Sequence, residues 1–335
     1  MQKGDIMIKE IRIYVSTSYD PHRNLATEKY LMDTTGPDVY TLYLWQNQNT
    51  VVIGSNQNPW VECRTTLLEQ EGGKLARRLS GGGAVFHDIG NLNFTFLVRD
   101  EDYDVDRQLS VIQEALKGLG IEAVKSGRND LLVQERKFSG NAFYHRQGHA
   151  YHHGTLLVNV DMQKLGRYLT PPKAKLEAKG IQSVRSRVAN LTEFVPELTC
   201  DSLRGYMKEA FAKVYGVAPQ AAVLTEEELE AVDKTAKELS TWDWLYGPKL
   251  PFSFCCEDRF SWGSIQLQLD VESGVVQDVR VYSDAMDWLI SENVASALKG
   301  RRFSFQDLTD ALKEKFGQDD PICQDLCALL KAQSI

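Results

Sequence analysis

Four strand-like segments between residues 121 and 160 constrain the fold of this chain most. Ile121–Val124, Leu131–Gln134, Lys137–Tyr144 and His149–Val160 are rich in β-branched and aromatic residues, and gaps of only two to six residues separate them. Strands following one another this closely, with helices inserted elsewhere, suggest a largely antiparallel or mixed sheet. Upstream, Ala84–His87, the turn 88–91 and Leu92–Val98 read as a hairpin. In its second strand Leu92, Phe94 and Phe96 alternate with Asn93 and Thr95, which predicts one buried and one partly polar face. Tyr40–Trp45 and Thr50–Gly54, joined by the Asn-rich 46–49, read as another hairpin.

Helical signals are interspersed. Asp20-Pro21 is a capping pair that opens an amphipathic segment to about Met32. Leu109, Ile112, Leu116 and Leu119 mark a helix over 106–119 that stops at Gly120. Further helices are expected over Asp201–Tyr215 and Thr225–Leu239, the latter with the capping box Thr225-x-x-Glu228. The predicted class is α+β, with mixed or antiparallel sheets flanked by helices.

A chain of 335 residues exceeds what one hydrophobic core usually organises. Gly247, Pro248 and Pro251 within six residues place the break there, dividing 1–246 from 247–335. The second part reads as a small α+β domain: a hairpin of Ser264–Val271 and Val275–Tyr282, then helices near 285–299, 304–315 and 320–331. With 38 Lys+Arg against 46 Asp+Glu the net charge is −8, which disfavours non-specific attraction to nucleic acid or anionic lipid. Any nucleotide site must be a local basic island. The N-terminal residues lack a signal-peptide core and no later run approaches ~20 apolar residues, so the expectation is a cytoplasmic protein. Six cysteines include no CxxC and no zinc-ligand spacing.

Three clusters carry chemistry. The first, Arg77-Arg78-Leu79-Ser80-Gly81-Gly82-Gly83-Ala84-Val85-Phe86-His87-Asp88, offers guanidinium groups and free backbone N–H groups to an oxyanion and reads as a phosphate cradle. It is not a Walker A loop, because Gly73-Lys74 is followed by Leu75. The second runs from Gly127-Arg128-Asn129-Asp130 through Lys137 to Ser139-Gly140-Asn141, where an ammonium could face a phosphate or carboxylate. The third sets His152 and His153 at the head of an apolar strand, without the HxH or HExxH geometry of a metal site.

Taken in this order, Arg77–Asp88, Ser126–Leu131, Arg136–Ala142 and His152–Leu157 resemble the lipoate–protein ligases of the bacterial long form, within the biotin/lipoate ligase superfamily. Ser18–Ala26, Val51–Trp60 and Lys179–Glu193 support the resemblance, which is dense from about Ser16 to Arg259 and weaker beyond. It implies a two-step ligation: lipoate reacts with ATP to give lipoyl-adenylate and pyrophosphate, and an acceptor lysine then takes the lipoyl group as an amide. It further implies Lys137 as the catalytic residue, touching both ATP and lipoate. Arg78, Gly83, Ala84, Val85 and Phe86 would bind ATP, with Gly81, Gly82, Asn129 and Asp130 as additional phosphate or nucleotide contacts. Asp130 is the candidate to help hold Mg²⁺. No permanently bound cofactor is expected.

The implied partners are lipoyl domains of 2-oxo-acid dehydrogenase E2 subunits, the glycine-cleavage H protein, or both, with the basic stretch Lys173–Arg187 as a candidate docking face; no nucleic acid and no membrane is expected. The C-terminal domain looks like the family's accessory domain. Rivals are an acyl transferase using a cysteine thioester, for which Cys63 is the only cysteine before residue 200, a biotin ligase, and a catalytically silent paralogue.

Overall fold

The computed structural model describes residues 8–127, 130–170, 188–247 and 253–333. Asn129, the stretch 173–187 and the break at 248–251 lie outside them. The fold class is the expected α+β: mixed sheets flanked by helices, with a further α+β part at the C-terminus.

Internal contacts gather the chain into two units, each described by itself. The first comprises residues 1–52, 62–76 and 85–245, and the second 53–61, 77–84 and 246–335. The arginine and glycine loop is therefore counted with the C-terminal residues.

The strands are β1 (Glu10–Val15), β2 (Val39–Trp45), β3 (Thr50–Ile53), β4 (Lys74–Arg77), β5 (Val85–His87), β6 (Asn91–Arg99), β7 (Val124–Ser126), β8 (Asp130–Val133), β9 (Arg136–Arg146), β10 (His149–Leu157) and β11 (Pro219–Ala221). The first unit is built on an eight-stranded sheet in the order β11-β1-β2-β6-β10-β9-β8-β7. β1 pairs parallel with β11 and β2, whereas β7 to β10 form the antiparallel run that their close succession suggested, and β6 pairs antiparallel at long range with both β10 and β2. The parallel β1–β2 pair is made possible by the crossover helix α1 (Pro21–Thr34), whose N-cap Asp20 accepts from the Arg23 N–H. On one face of the sheet, Leu42, Leu44, Phe94, Phe96 and Val98 pack with Leu109 and Ile112 of α2 (Val105–Lys117) and with Leu203, Met207 and Phe211 of α3 (Cys200–Tyr215).

Both expected hairpins in residues 40–98 are absent. β2 and β6 lie in the large sheet, while β3 and β5 pair with each other beside β4 in a second, three-stranded sheet. The turn residues carry the chain between sheets. Asn24 on α1 donates to Gln46 O at 2.8 Å and to Asn47 Oδ1 at 2.9 Å, pulling 46–47 inward. Likewise Val158 and Asn159 donate to Gly90 O, and a Cβ on Gly90 would sit 2.0 Å from Asn159 O.

In the second unit, β12 (Phe254–Phe260), β13 (Gly263–Glu272) and β14 (Val275–Ser283) form an antiparallel sheet with its own apolar core. The helices Ile290–Leu298, Phe305–Phe316 and Pro321–Ala332 cover it.

Candidate active site

Lys137 sits at an irregularity in the β8–β9 ladder. Leu132 pairs with Lys137 and Leu131 with Ser139, so Phe138 is an extra residue, buried in the core. Such a bulge re-aims the neighbouring side chains. The Lys137 carbonyl accepts from the Ala189 N–H at 2.9 Å, which fixes the backbone from a second side. Its Nζ lies 2.7 Å from Asp130 Oδ1, with both side chains about one-third exposed, at 36% and 35%. A Cβ on Gly140 would come within 3.0 Å of that Nζ and 3.1 Å of Cε, so glycine there leaves room for the lysine stem. The Gly140 N–H is held by Thr155 Oγ1 at 3.2 Å on β10.

The second face of the large sheet, under α1, differs from its sequence reading. Asn93 and Thr95 are as buried as the leucines and phenylalanines between them. The polar face is buried and only partly satisfied from within, since Asn91 Oδ1 and Asn93 Nδ2 find no partner among the described residues. Thr95 Oγ1 donates to Glu28 Oε1 at 2.7 Å and accepts from Trp45 Nε1 at 3.0 Å. His153 Nδ1 lies 2.8 Å from the same Glu28 oxygen. Asn24 joins Asn47, and Asn47 Nδ2 reaches His87 Nδ1 at 3.2 Å. Sequence reasoning missed Glu28, Thr95 and Trp45. Their signal was the Asn-x-Asn-x-Thr alternation in a strand with phenylalanines between, which marks a buried polar wall as readily as a wet one.

His152 and His153 are neighbours in sequence, yet successive strand residues point to opposite faces. His152 faces α2, with Nδ1 3.0 Å from Gln108 Oε1 and Nε2 2.8 Å from Asn141 Oδ1. Burial, with His153 and Lys125 nearby, pushes it down to about 3, so the ring is neutral. A neutral ring donates through one nitrogen only, so one of those two carboxamides must present its NH₂ group. Among the described residues no group of three or more His, Cys, Asp or Glu could hold a metal ion.

This depressed pKa sets an acid sensitivity. Unfolded imidazole titrates near 6.5, so from there down to about 3 the unfolded state binds a proton that the native state refuses. Stability is undiminished above pH 6.5 and falls as pH drops, by at most about 1.4 kcal/mol per unit from this one group. In His152→Gln the loss of urea midpoint between pH 7 and pH 5 should shrink. An unaltered loss would assign the sensitivity to other groups.

In the second unit the arginines of the glycine loop are buried and turned onto the backbone. Arg77 Nη1 donates to the carbonyls of Gly54, Ser55 and Gln57 at 3.2, 2.8 and 2.8 Å. Burial lowers Arg77 to about 10, still charged at neutral pH. Arg78 Nε donates to Ser80 Oγ and Gly81 O, and its Nη2 to Gly81 O at 2.8 Å and Gly83 O at 2.7 Å. These contacts turn the loop's carbonyls toward the guanidinium. Gly82 has φ +91° and a Cβ there would meet Arg78 Nη2 at 3.1 Å, so this position requires glycine. A Cβ on Gly83 would meet nothing within 4 Å. Beyond the loop, Val85 and Phe86 enter β5 in the first unit, opposite Val52 and Val51, with Phe86 buried against Tyr168.

Comparison with known proteins identifies the family. The family "Lipoyl protein ligase A/B catalytic domain" matches residues 20–212, and "Bacterial lipoate protein ligase C-terminus" matches 249–320. A lipoate-protein ligase A of Psychrobacter cryohalolentis is 44% identical over 317 residues, 92% of either chain. One from Bdellovibrio bacteriovorus is 40% identical over 318 residues, 93% of this chain and 94% of the relative. Among solved structures, P. falciparum LipL1 in complex with lipoate superposes with a TM-score of 0.82 at 27% identity, covering 96% of this chain and 98% of that one. The bipartite lipoate protein ligase of Thermoplasma acidophilum, studied with its E2 lipoyl domain, gives 0.65 at 26% identity over 74% of this chain and 100% of that one. A lipoate-protein ligase A bound with ATP gives 0.63 at 25% identity over 72% and 99%. Fold and matches together define an enzyme of the ligase class. The chain belongs to the lipoyl protein ligase family, in the long bacterial form that carries its own C-terminal domain.

Proposed function

We propose that this enzyme activates lipoate with ATP and transfers the lipoyl group to a lysine of an acceptor protein. The observation that carries the reading is the Lys137 ammonium, fixed at the β8–β9 irregularity beside Gly140 and within 2.7 Å of Asp130. In the first step a lipoate carboxylate oxygen bonds to the α-phosphorus of ATP, the bond to the β-bridging oxygen breaks, and pyrophosphate leaves. Charge develops on the phosphoryl oxygens, and a positioned cation lowers that barrier. Lys137 would contact the α-phosphate and the lipoyl carbonyl oxygen. In the second step the neutral acceptor amine attacks the lipoyl carbonyl carbon, the C–N bond forms, AMP departs with the C–O electron pair, and the nitrogen gives up one proton to solvent.

Arg78 and the backbone of Gly83, Ala84, Val85 and Phe86 are assigned to ATP, with Gly81, Gly82 and Asn129 as further contacts. Asp130 supplies one carboxylate, which suits Mg²⁺ carried by a nucleotide, because that ion keeps phosphate and water oxygens as most of its ligands. Bound there, Mg²⁺ would neutralise phosphate charge. No sulfur need take part. Burial pushes the Cys63 and Cys200 thiols up to about 12, leaving little thiolate for a thioester route.

The acceptor is assigned as an E2 lipoyl domain, with the glycine-cleavage H protein as an alternative acceptor, and the functional boundary is placed at residue 247. The site of action is assigned as the cytoplasm; no helix among the described residues is long and apolar enough to cross a membrane. One assay tests the reading: pyrophosphate release with ATP and lipoate, octanoate or biotin, with and without a lipoyl domain. Release with lipoate, followed by acylation of the domain, is expected. Acylation without ATP, or release with biotin alone, would overturn it.

A further inference from the structure

Within the second unit, residues 283–288 are fastened beside the glycine loop, and Asn56 is the fastener. Its carbonyl accepts the Ser283 N–H at 2.8 Å, and its Nδ2 donates to Trp288 O at 3.0 Å. Between these anchors the Ala285 carbonyl accepts the Gly82 N–H at 2.8 Å. The approach is close enough to exclude any side chain: a Cβ on Gly81 would lie 2.4 Å from Ala285 O and 2.8 Å from Met286 O. Ser283 makes the carbonyl's position definite, since its Oγ donates to Ser264 O at 2.7 Å and accepts the Ala285 N–H at 3.0 Å.

A backbone N–H that already donates to a carbonyl is not free for a phosphate oxygen. We infer that Asn56 is a positioning residue for the nucleotide step: by holding 283–288 in place it keeps the Ala285 carbonyl on Gly82, so that ATP must displace an internal acceptor before the loop can receive its phosphates. The inference rests on the proposed assignment of the loop to ATP. The exchange favours the nucleotide, because an N–H bonds more strongly to an anionic oxygen than to an amide carbonyl. Displacement still raises the nucleotide concentration needed.

The test compares wild type with Asn56→Ala in the full-length chain. Lipoate-dependent ATP–pyrophosphate exchange gives the ATP KM, the lipoate KM and kcat, and hydrogen exchange follows the Gly82 amide without nucleotide. Losing the Nδ2 contact should lower the ATP KM by roughly fivefold, the factor that one hydrogen bond of ordinary net strength represents. The lipoate KM and kcat should stay within about twofold, and the Gly82 amide should exchange faster, as one bond fewer restrains its acceptor. A general loss of structure would raise KM or lower kcat, so the direction separates the two. Should Asn56→Ala fail to fold, Asn56→Ser, whose hydroxyl is too short to reach Trp288 O, serves instead. An ATP KM unchanged or raised, or unaltered Gly82 exchange, overturns the inference. Wild type without lipoate-dependent exchange would instead overturn the functional reading.

Discussion

Lys137→Ala should reduce lipoate-dependent ATP–pyrophosphate exchange by about a thousandfold, the usual scale for removing a group that stabilises transition-state charge. The fold should tolerate the change. The ammonium is one-third exposed and pairs with Asp130, itself one-third exposed, and such pairs contribute about 0–1 kcal/mol. The melting temperature should therefore move little while activity collapses, a combination that a packing defect does not produce. Lys137→Arg should rescue poorly. Gly140 leaves space for a slim stem ending in a compact ammonium, and a planar guanidinium needs a broader slot. Asp130→Asn should be milder, since it spares the cation. Exchange within tenfold of wild type in Lys137→Ala would remove that lysine from the adenylation step.

The antiparallel run from β7 to β10 and the C-terminal hairpin were legible because only a few residues separate consecutive strands, whereas the pairing of β6 with β10 and β2 was not. The capping boxes were legible because they are local. Thr225 accepts the Glu228 N–H as its spacing requires. What failed was pairing decided at a distance. Asn47 and Gly90 look like hairpin turn residues, yet one bonds to a helix more than twenty residues away and the other receives the end of β10. The site was partly legible for the same reason. Lys137, Asp130 and the glycine loop stand in short motifs, whereas Glu28 meets His153 across 125 residues and no spacing rule links them. Burial was the second blind spot. Asn93 and Thr95 were read as facing partly polar surroundings because alternation reports two faces, not whether a helix covers the second.

Arg78 should be the other position with a large effect, and its lysine variant is the informative one. Ser80 Oγ, Gly81 O and Gly83 O, which accept from its guanidinium, lie in the loop that its own backbone begins. A fork that spans two carbonyls cannot be replaced by a point charge on a flexible stem. If Arg78 acts chiefly by shaping the loop, Arg78→Lys should lose nearly as much kcat/KM for ATP as Arg78→Ala, about a hundredfold in each. Both should also lose stability, because each buried carbonyl left unpaired costs roughly 1–3 kcal/mol. If the guanidinium mainly supplied charge to phosphate, lysine would retain most of the activity and the KM for ATP would become more sensitive to salt. Measuring kcat/KM for ATP in both variants at low and moderate ionic strength therefore decides between shape and charge. The geometry of four bonds within five residues favours shape.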